Sequence, residues 1–352
     1  MPPRIYLDHA ATTPIRPEAA AAMAEGFSRW ANPSSPHAEG RAARAALEDA
    51  RARIKAALGW TGELILTSGA SEAVALAFAG RQHTGAIVSA VEHDAVDFRG
   101  VLNDAQQVPV TSAGIVDERA LGTMHRDGAL VALQSANSET GVLQPMGRLA
   151  PLWRHGVLLT DCSQSAGKLP LPDADLIVVS AHKLGGPIGI GALLVRDLVL
   201  LDPTGGQERG YRRGTENLPA ALGFAAALEA SRAWFDAMPP LRAKLDRAIE
   251  AAGGEVIARD APRISTIASY RMPGVTAAAQ LIRLDMAGFA VSAGSACSSG
   301  TMRPSHVLEA MRCPHPDEVI RVSFGWTTTE AEVDAFAAAW TRIAADARAR
   351  AA

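Results

Sequence analysis

Short apolar segments alternate with helix-like segments along much of this 352-residue chain, and this alternation constrains the fold more than any other feature. A continuous apolar run of four to eight residues, bounded by turn residues, is typical of a fully buried strand. Strands that alternate with helices favour an α/β fold, with a mainly parallel sheet covered by helices on both faces. The predicted strands span residues 63–67, 86–90, 107–110, 130–135, 157–160, 176–180 and 191–195.

Alanine-rich stretches between and around these strands predict the helices. We expect helices over residues 17–30, with Pro17 near the start, over 37–58 and over 73–80. A longer helical region over 218–251 follows the last strand. It contains Pro239-Pro240, and because proline interrupts a helix interior, we expect a break there.

The last part of the chain carries a second pattern of strands and helices. New strands are expected at 255–258, 264–269 and 319–324, and a closing helix at 330–349. A chain of 352 residues is also longer than one hydrophobic core usually serves. We therefore predict a large domain over residues 15–250 and a smaller α+β domain over 251–352, which residues 1–14 join.

Composition excludes several kinds of partner and setting. The formal net charge of -3 gives no reason to expect nucleic acid or an anionic membrane as a main partner. No apolar run reaches the length of a membrane span, and the N-terminus lacks an apolar signal-peptide core. The three cysteines, Cys162, Cys297 and Cys313, are too widely spaced for a zinc site or a disulfide framework. The expected setting is the cytoplasm, with no bound metal.

Polar residues stand at the carboxyl ends of five predicted strands. In open parallel sheets, ligands bind beyond these ends, so polar groups on one edge indicate a binding site. Five strand ends of this kind are a stronger signal than any single motif. The residues are Ser68-Gly69, Glu92-His93, Asn137-Ser138-Glu139, Asp161, and Ser180, His182 and Lys183.

Lys183 is the member of this set that packing explains least. It follows the buried strand 176–180 directly, in Ser180-Ala181-His182-Lys183, and precedes a glycine-rich loop. Lysine is costly to bury unless it is paired or has reacted. A Schiff base with pyridoxal phosphate would account for it, and the alternative is a surface lysine at a strand end.

Two further strand ends suit the same cofactor. Ser68 to Glu72 form a strand, glycine turn and helix start, where free N–H groups and the helix dipole favour an anion. The alternative is an ordinary helix cap by Ser68 or Ser71. Asp161 would pair with a protonated pyridine nitrogen, or else cap the following turn. Gln164, three residues on, would reach the ring's phenolic oxygen.

Three other residues carry functional hypotheses. His93 would stack on a cofactor ring and transfer protons, although a lone histidine at a strand end is more often structural. Cys297 lies in a small, polar, glycine-rich segment that predicts a mobile loop, where an exposed thiol is a liability unless it is used. Arg321 lies within a strand-like run and suggests a clamp for a carboxylate.

Taken together, these motifs resemble those of cysteine desulfurases, which belong to the class V aminotransferase group of fold-type I pyridoxal phosphate enzymes. They follow the family's order over nearly the whole chain, and the cysteine motif separates desulfurases from many relatives. The resemblance implies a mainly parallel seven-stranded sheet in the large domain and a smaller α+β C-terminal domain. The matching motifs are Tyr6-Leu7-Asp8-His9-Ala10-Ala11-Thr12-Thr13-Pro14, Asn32-Pro33-Ser34-Ser35-Pro36-His37, Thr67-Ser68-Gly69-Ala70-Ser71-Glu72, Glu92-His93, Glu139-Thr140-Gly141, Asp161 with Gln164-Ser165, Ser180-Ala181-His182-Lys183, Glu208-Arg209-Gly210 through Gly214-Thr215-Glu216-Asn217, Gly294-Ser295-Ala296-Cys297 and Arg321-Val322-Ser323.

The resemblance also implies a role for each site residue. Lys183 forms the Schiff base, Asp161 pairs with the pyridine nitrogen, and His93 stacks on the ring. Gln164 lies near the phenolic oxygen. Thr215 reaches the phosphate of the partner subunit, which implies a homodimer with shared active sites. The other implied contacts are the phosphate ligands Ala70, Ser71, Ser180 and His182 and the substrate-carboxylate ligands Asn32 and Arg321.

Ser138 departs from the family pattern. The family usually has two asparagines before Glu-Thr-Gly, and the second contacts the cofactor's phenolic oxygen; here the pair is Asn137-Ser138. A serine hydroxyl can donate one hydrogen bond but is shorter than an amide. We therefore expect Ser138 to shift the pKa of the Schiff base without abolishing activity. His9 also replaces a common asparagine.

The implied reaction converts L-cysteine to L-alanine and leaves the sulfur as a persulfide on Cys297. Lys183 takes the Cα proton, His93 helps to deprotonate the substrate thiol, and the Cys297 thiolate attacks the sulfur. The loop then passes the sulfur to an acceptor protein for iron–sulfur cluster or thiolation pathways.

The motifs also allow other interpretations of the protein's function. An aminotransferase of the same group needs no thiol loop, so Cys297 argues against it, whereas a selenocysteine lyase is harder to exclude. A weakly active sulfur-assembly partner is a third possibility, and Ser138 is its only support.

Overall fold

The computed structural model describes residues 4–80, 84–96, 105–124, 127–153, 156–294 and 305–351. Its strands are β1 (Ile5–Tyr6), β2 (Glu63–Thr67), β3 (Ala86–Ser89), β4 (Gln106–Val108), β5 (Leu130–Gln134), β6 (Val157–Asp161), β7 (Leu176–Ser180), β8 (Gly191–Val195), β9 (Glu255–Val256), β10 (Ile267–Arg271), β11 (Phe289–Ala290) and β12 (Val319–Ser323). Its helices are α1 (Pro17–Ser28), α2 (Ala38–Leu58), α3 (Ala70–Ala79), α4 (Glu118–Thr123), α5 (Met146–Leu149), α6 (Leu218–Glu229), α7 (Ala233–Asp236), α8 (Met238–Ala251), α9 (Ala277–Met286), α10 (His306–Ala310) and α11 (Glu330–Ala351).

The largest sheet has seven strands in the order β2-β8-β7-β6-β5-β3-β4. The pairs from β7 to β4 are all parallel, while β8 runs antiparallel to both of its neighbours. The predicted mainly parallel sheet is thus confirmed. Because β8 alone is reversed, the carboxyl ends of all the other strands meet at one edge, as ligand binding in such sheets requires.

Both faces of this sheet are covered, which explains why its strands are continuous apolar runs. Along β7, Ile177 and Val179 pack on one side with α1, α2 and α6, whereas Val178 packs on the other side with α3. Every residue of β5, β7 and β8 is buried. Within the described ranges, no helix is both long and apolar enough to cross a membrane.

The remaining strands form two small sheets around a second core. Strands β12, β10 and β9 pair antiparallel in that order, and β1 pairs in parallel with β11. Leu7 packs into this core with Tyr270, Phe336 and Trp340. The N-terminal segment therefore packs with the C-terminal part of the chain. The predicted division into two domains stays a prediction.

The predicted break at Pro239-Pro240 is wrong. The chain leaves the helix after α6 ends at Glu229, and α8 begins at Met238, so both prolines lie in the first turn of α8. Proline is tolerated there because the first N–H groups of a helix have no partner within the helix.

The strand predicted at 264–269 is also shifted, since β10 begins at Ile267. The backbone N–H of Ile264 donates instead to the carbonyl oxygen of Gly141, at 2.8 Å. This contact holds residues 264–266, which precede β10, outside the sheet.

Candidate active site

A cavity of about 460 Å³ opens at the edge of the large sheet where its parallel strands end. This volume is in the range of small-molecule sites. The sequence predicted that polar residues from separate strand ends would meet here, and the structure brings them together. Its wall includes Ala70, Ser71, His93, Ser138, Asp161, Gln164, Ser180, His182 and Lys183.

Lys183 reaches this cavity from the single 3-10 turn that follows β7. Its Nζ donates to the carbonyl oxygens of Ala10, at 2.6 Å, and Ala11, at 3.0 Å. The side chain is half-buried and lies between this cavity and a smaller one. Because β7 and its turn are rigidly packed, the amine is presented at a defined point of the wall.

The start of α3 also lines this cavity and is suited to an anion. Ala70 and Ser71 are its first residues, so their N–H groups have no partner within the helix. The Ser180 hydroxyl is buried, with no hydrogen-bond partner among the described residues. A Cβ at Gly191 would lie 2.9 Å from the Cα of Gly69. Strand β8 can therefore pack this closely against the turn only with glycine at position 191.

Asp161 and Gln164 follow β6. The Asp161 Oδ1 accepts the Ser163 N–H at 2.7 Å, so this carboxylate also holds the turn that follows the strand. The Gln164 Nε2 donates to the Ala10 carbonyl oxygen at 3.0 Å, while its Oε1 is buried with no partner among the described residues. Each of these two side chains therefore has a polar atom that can form a hydrogen bond with a bound ligand.

Two histidines border the cavity, and their contacts constrain their protonation. The His93 Nδ1 accepts the Ala95 N–H at 3.0 Å, so a neutral His93 carries its proton on Nε2. In that state the Nε2 of His93 is a hydrogen-bond donor. To accept a proton from a thiol, His93 would have to use its Nδ1 and so release the Ala95 N–H. Burial, and secondly the charge of Lys183, lower the pKa of His182 to about 4.

A smaller cavity of about 110 Å³ adjoins the first, on the far side of Lys183. The buried Arg321 side chain lies on its wall. The Arg321 Nη2 donates to Asp8 Oδ1 at 2.9 Å, and Nη1 donates to the carbonyl oxygen of Ser138 at 3.1 Å. Lys183, His93 and Ser138 line both cavities, so the two form one continuous site.

Asn137 and Ser138 have different structural roles. The Asn137 Oδ1 accepts from the N–H groups of Glu139 and Thr140, and its Nδ2 donates to the Val91 carbonyl oxygen, so this amide holds the turn. Ser138 is the member that faces the cavities. A residue change at 138 alters the cavity wall without removing the contacts that shape the loop.

Asn32 and Thr215 do not line either of these cavities. Both lie in a separate surface hollow, beside the exposed side chains of Phe27 and Trp30. The Asn32 Oδ1 accepts the Ser34 N–H at 2.9 Å. The two residues therefore share a face of the chain, away from Lys183.

A buried ion pair holds the segment that leads to Thr215. Arg51 binds Glu208 through two parallel hydrogen bonds of 2.8 and 3.0 Å, and Glu208 also accepts the Leu66 N–H at 2.8 Å. Glu208 and Arg209 both have positive φ, an uncommon backbone state that these contacts maintain. The pair therefore ties this segment to strand β2.

Cys297 lies outside the described residues. The chain before it is held at Ser292, whose backbone exchanges two hydrogen bonds with Arg321, at 2.7 and 3.2 Å. On the other side of Cys297, the Ser305 hydroxyl donates to the Glu139 Oε2 at 2.6 Å. Both neighbouring segments are thus attached to residues of the smaller cavity, Arg321 and Glu139.

Sequence reasoning gave no role to two residues of the smaller cavity, Asp8 and His306. Glu139, which was predicted among the polar strand-end residues, lines the same cavity. Asp8 and Glu139 both belong to motifs that resemble the family's, but nothing in the sequence alone places them beside Arg321. His306 follows no strand of the large sheet, so no periodic signal pointed to it.

Lys168 was also missed. Its Nζ donates to the Gln164 carbonyl oxygen at 3.0 Å, and the side chain is buried. Burial, with a smaller contribution from the charge of Lys183, lowers the pKa of Lys168 to about 7.

Comparisons with known proteins identify the class of enzyme to which this fold and strand-end site belong. The sequence model of the aminotransferase class-V family matches residues 5–336. The chain is 36% identical to the cysteine desulfurase of Cereibacter sphaeroides, over 94% of this chain and 93% of that protein. It is 37% identical to the IscS-like cysteine desulfurase of Mycobacterium tuberculosis, with the same coverage.

Solved structures give the same result. The NifS-like protein of Rickettsia africae superimposes with a TM-score of 0.89 at 28% sequence identity, covering 97% of this chain and 99% of that one. This chain therefore belongs to the class-V aminotransferase family. The resemblance seen in the sequence is confirmed.

Proposed function

We propose that this protein is a pyridoxal phosphate-dependent cysteine desulfurase that converts L-cysteine to L-alanine and passes the sulfur on through a persulfide. The observation that carries the proposal is the meeting of Lys183, Asp161 and His93 at one sheet edge, beside Arg321. Relatives that bear the name cysteine desulfurase match 94% of the chain. The site geometry and these relatives together favour desulfuration over other reactions of the family.

The groups on the larger cavity fit pyridoxal phosphate. The N–H groups at the start of α3 and the unpartnered Ser180 hydroxyl suit its phosphate. The Asp161 carboxylate suits a protonated ring nitrogen, and Gln164, with Ser138, suits the phenolic oxygen. Lys183 carries the amine that would attach the cofactor covalently on this wall. When bound, the cofactor supplies an electron-withdrawing ring that stabilises negative charge on the substrate's Cα.

The chain's own residues would supply binding and proton transfer. Arg321 binds the substrate carboxylate in the smaller cavity, because its guanidinium matches a planar carboxylate. Lys183 would take the Cα proton, and the carbonyl oxygens of Ala10 and Ala11 would hold its ammonium form. His93 donates a hydrogen bond from Nε2 towards the substrate sulfur. The Cys297 thiolate would then attack that sulfur, so that an S–S bond forms while the substrate's Cβ–S bond breaks and its electron pair passes to Cβ, which takes up a proton to become the methyl group of alanine.

A homodimer in the cytoplasm is part of the proposal. Thr215 and Asn32 share a surface hollow with the exposed Phe27 and Trp30. Large exposed apolar side chains beside a predicted cofactor ligand favour a second copy of the chain on this face. In that arrangement Thr215 would serve the partner subunit's cofactor. The sulfur would leave to an acceptor protein for iron–sulfur cluster or thiolation pathways.

Product analysis tests the function. Holoenzyme incubated with L-cysteine and a thiol reductant should release alanine and sulfide in equal amounts, and Lys183→Ala should release neither. Release of a keto acid without sulfide would indicate an aminotransferase. Turnover of L-selenocysteine but not of L-cysteine would indicate a selenocysteine lyase. Cofactor binding with no turnover of either would indicate a sulfur-assembly partner.

A further inference from the structure

The guanidinium of Arg321 is already partly engaged by an acidic side chain. Its Nη2 donates to Asp8 Oδ1 at 2.9 Å and its Nη1 to the Ser138 carbonyl oxygen at 3.1 Å. Its Nε is buried and has no partner among the described residues. A ligand carboxylate would thus share this guanidinium with Asp8.

Both members of the pair are fixed by the backbone. Arg321 lies in the middle of β12, opposite Ser269 of β10. Asp8 is bridged in parallel to Ser323, whose N–H donates to the Leu7 carbonyl oxygen at 2.8 Å. Two residues of neighbouring, hydrogen-bonded segments have little freedom to separate, so Asp8 stays beside Arg321 when a ligand enters.

The smaller cavity carries both acidic and basic side chains. Among its described lining residues, the carboxylates are Asp8, Glu92, Asp94 and Glu139, and the basic side chains are Lys183, Arg321 and the two histidines His93 and His306. Burial raises the pKa of both Glu92 and Glu139, which makes these two easier to neutralise. Asp8 is the carboxylate that directly binds the guanidinium.

We propose that Asp8 is a specificity-determining residue that restricts Arg321 to ligands with a single carboxylate. The inference rests on the proposed function, in which Arg321 binds the substrate's α-carboxylate. With Asp8 in place, one ligand carboxylate meets one shared guanidinium. A second carboxylate on the ligand's side chain would be repelled by the Asp8 carboxylate. Specificity of this kind works by rejecting the wrong ligand.

The test compares two non-reacting amino acids on the holoenzyme, L-alanine and L-aspartate. Their dissociation constants are obtained from the change in the bound cofactor's absorbance. In the wild type, we expect aspartate to bind at least about tenfold more weakly than alanine, a typical size for one unfavourable polar contact. Asp8→Asn keeps an oxygen that can accept from Arg321 Nη2 but removes the charge. It should reduce the aspartate-to-alanine ratio of dissociation constants by at least about fivefold.

Asp94→Asn is the matched control, because Asp94 lines the same cavity but its Oδ1 lies 3.6 Å from the His306 Nδ1 and does not bind Arg321. It should leave the ratio within about twofold of the wild type. An unchanged ratio in Asp8→Asn, an equal change in Asp94→Asn, or an equal loss of affinity for both ligands in Asp8→Asn would overturn the proposal. The last result would mean that Asp8 only orients Arg321.

Failure of the proposed function gives a different result. The titration needs no turnover, so an enzyme that binds alanine but makes none from L-cysteine still tests Asp8. A wild type whose absorbance does not respond to L-alanine would contradict the role of Arg321 and the inference together.

Discussion

The Nζ of Lys183 lies 2.6 Å from the carbonyl oxygen of Ala10, which also accepts the Nε2 of Gln164 at 3.0 Å. One backbone carbonyl of the N-terminal segment thus orients two of the proposed cofactor contacts. The same segment packs with the C-terminal core through Leu7. The geometry of the site consequently depends on both parts of the chain.

The first prediction concerns which lysine carries the cofactor. After borohydride reduction of the wild type, mass spectrometry should find pyridoxal phosphate on the peptide containing Lys183. Lys183→Ala should show no adduct and should lose its colour on dialysis, because the remaining contacts are non-covalent. Lys168→Met is the control, since Lys168 is buried behind Gln164, and it should keep the adduct. An adduct on Lys168 in either protein would contradict the assignment.

The second prediction concerns the buried ion pair of Arg51 and Glu208. Arg51→Met leaves the Glu208 carboxylate buried without its bidentate partner. The free energy of unfolding should fall by about 3–5 kcal/mol, the usual effect of breaking a buried pair. Urea unfolding followed by fluorescence measures the change.

Arg53→Met is the matched control on the same helix. Arg53 pairs with Glu229 through hydrogen bonds of 2.6 and 2.8 Å, but both side chains are partly exposed. Its loss should cost less than about 1 kcal/mol. Equal effects of the two substitutions would contradict the structural role given to Glu208.

The third prediction concerns Lys168 and pH. The pKa of Lys168 is about 7 in the folded protein, against 10.5 as the ordinary value. Between these values the unfolded chain binds a proton that the folded chain does not, so stability rises with pH. At pH 7 and below, the folded protein bears the full cost of a buried ammonium.

Lys168→Met removes that cost. The variant's melting temperature relative to wild-type apoprotein should be highest near pH 7, and the difference should shift in favour of the wild type as pH rises towards 10. Lys55→Met, at a partly exposed position of α2, should show no such trend. A pH-independent difference for Lys168→Met would show that Lys168 does not titrate in this range.

The fourth prediction concerns Ser138, which faces both cavities at the position where the family usually has asparagine. Ser138→Asn adds an amide donor near the proposed position of the phenolic oxygen. The bound cofactor's absorbance, titrated against pH, should change at a different pH in the variant, while activity is retained. Superimposable titration curves would show that residue 138 does not contact the cofactor.

Much of the large sheet could be predicted from the sequence. Strands β2, β7 and β8 have the predicted bounds, because each is an apolar run that the fold buries on both faces. Polar residues at the strand ends then located the cavity, since parallel topology brings those ends together. The break before α8 was misplaced because proline disrupts a helix interior but is tolerated in its first turn.

The smaller cavity could not be predicted in the same way. Asp8 and Arg321 are 313 positions apart, and their contact depends on the pairing of the N-terminal segment with β12. No local pattern encodes that pairing. Likewise, the burial of Lys168 results from packing between segments, so local periodicity could not predict it.

The proposed function requires that sulfur passes through Cys297. A single turnover of holoenzyme with one equivalent of L-cysteine, followed by alkylation and peptide mass spectrometry, measures this directly. The Cys297 peptide of the wild type should carry one extra sulfur atom. Cys297→Ser should carry none and should keep the cofactor's colour. Extra sulfur on Cys162 or Cys313 instead, or persistent alanine and sulfide release by Cys297→Ser, would show that another group takes the sulfur.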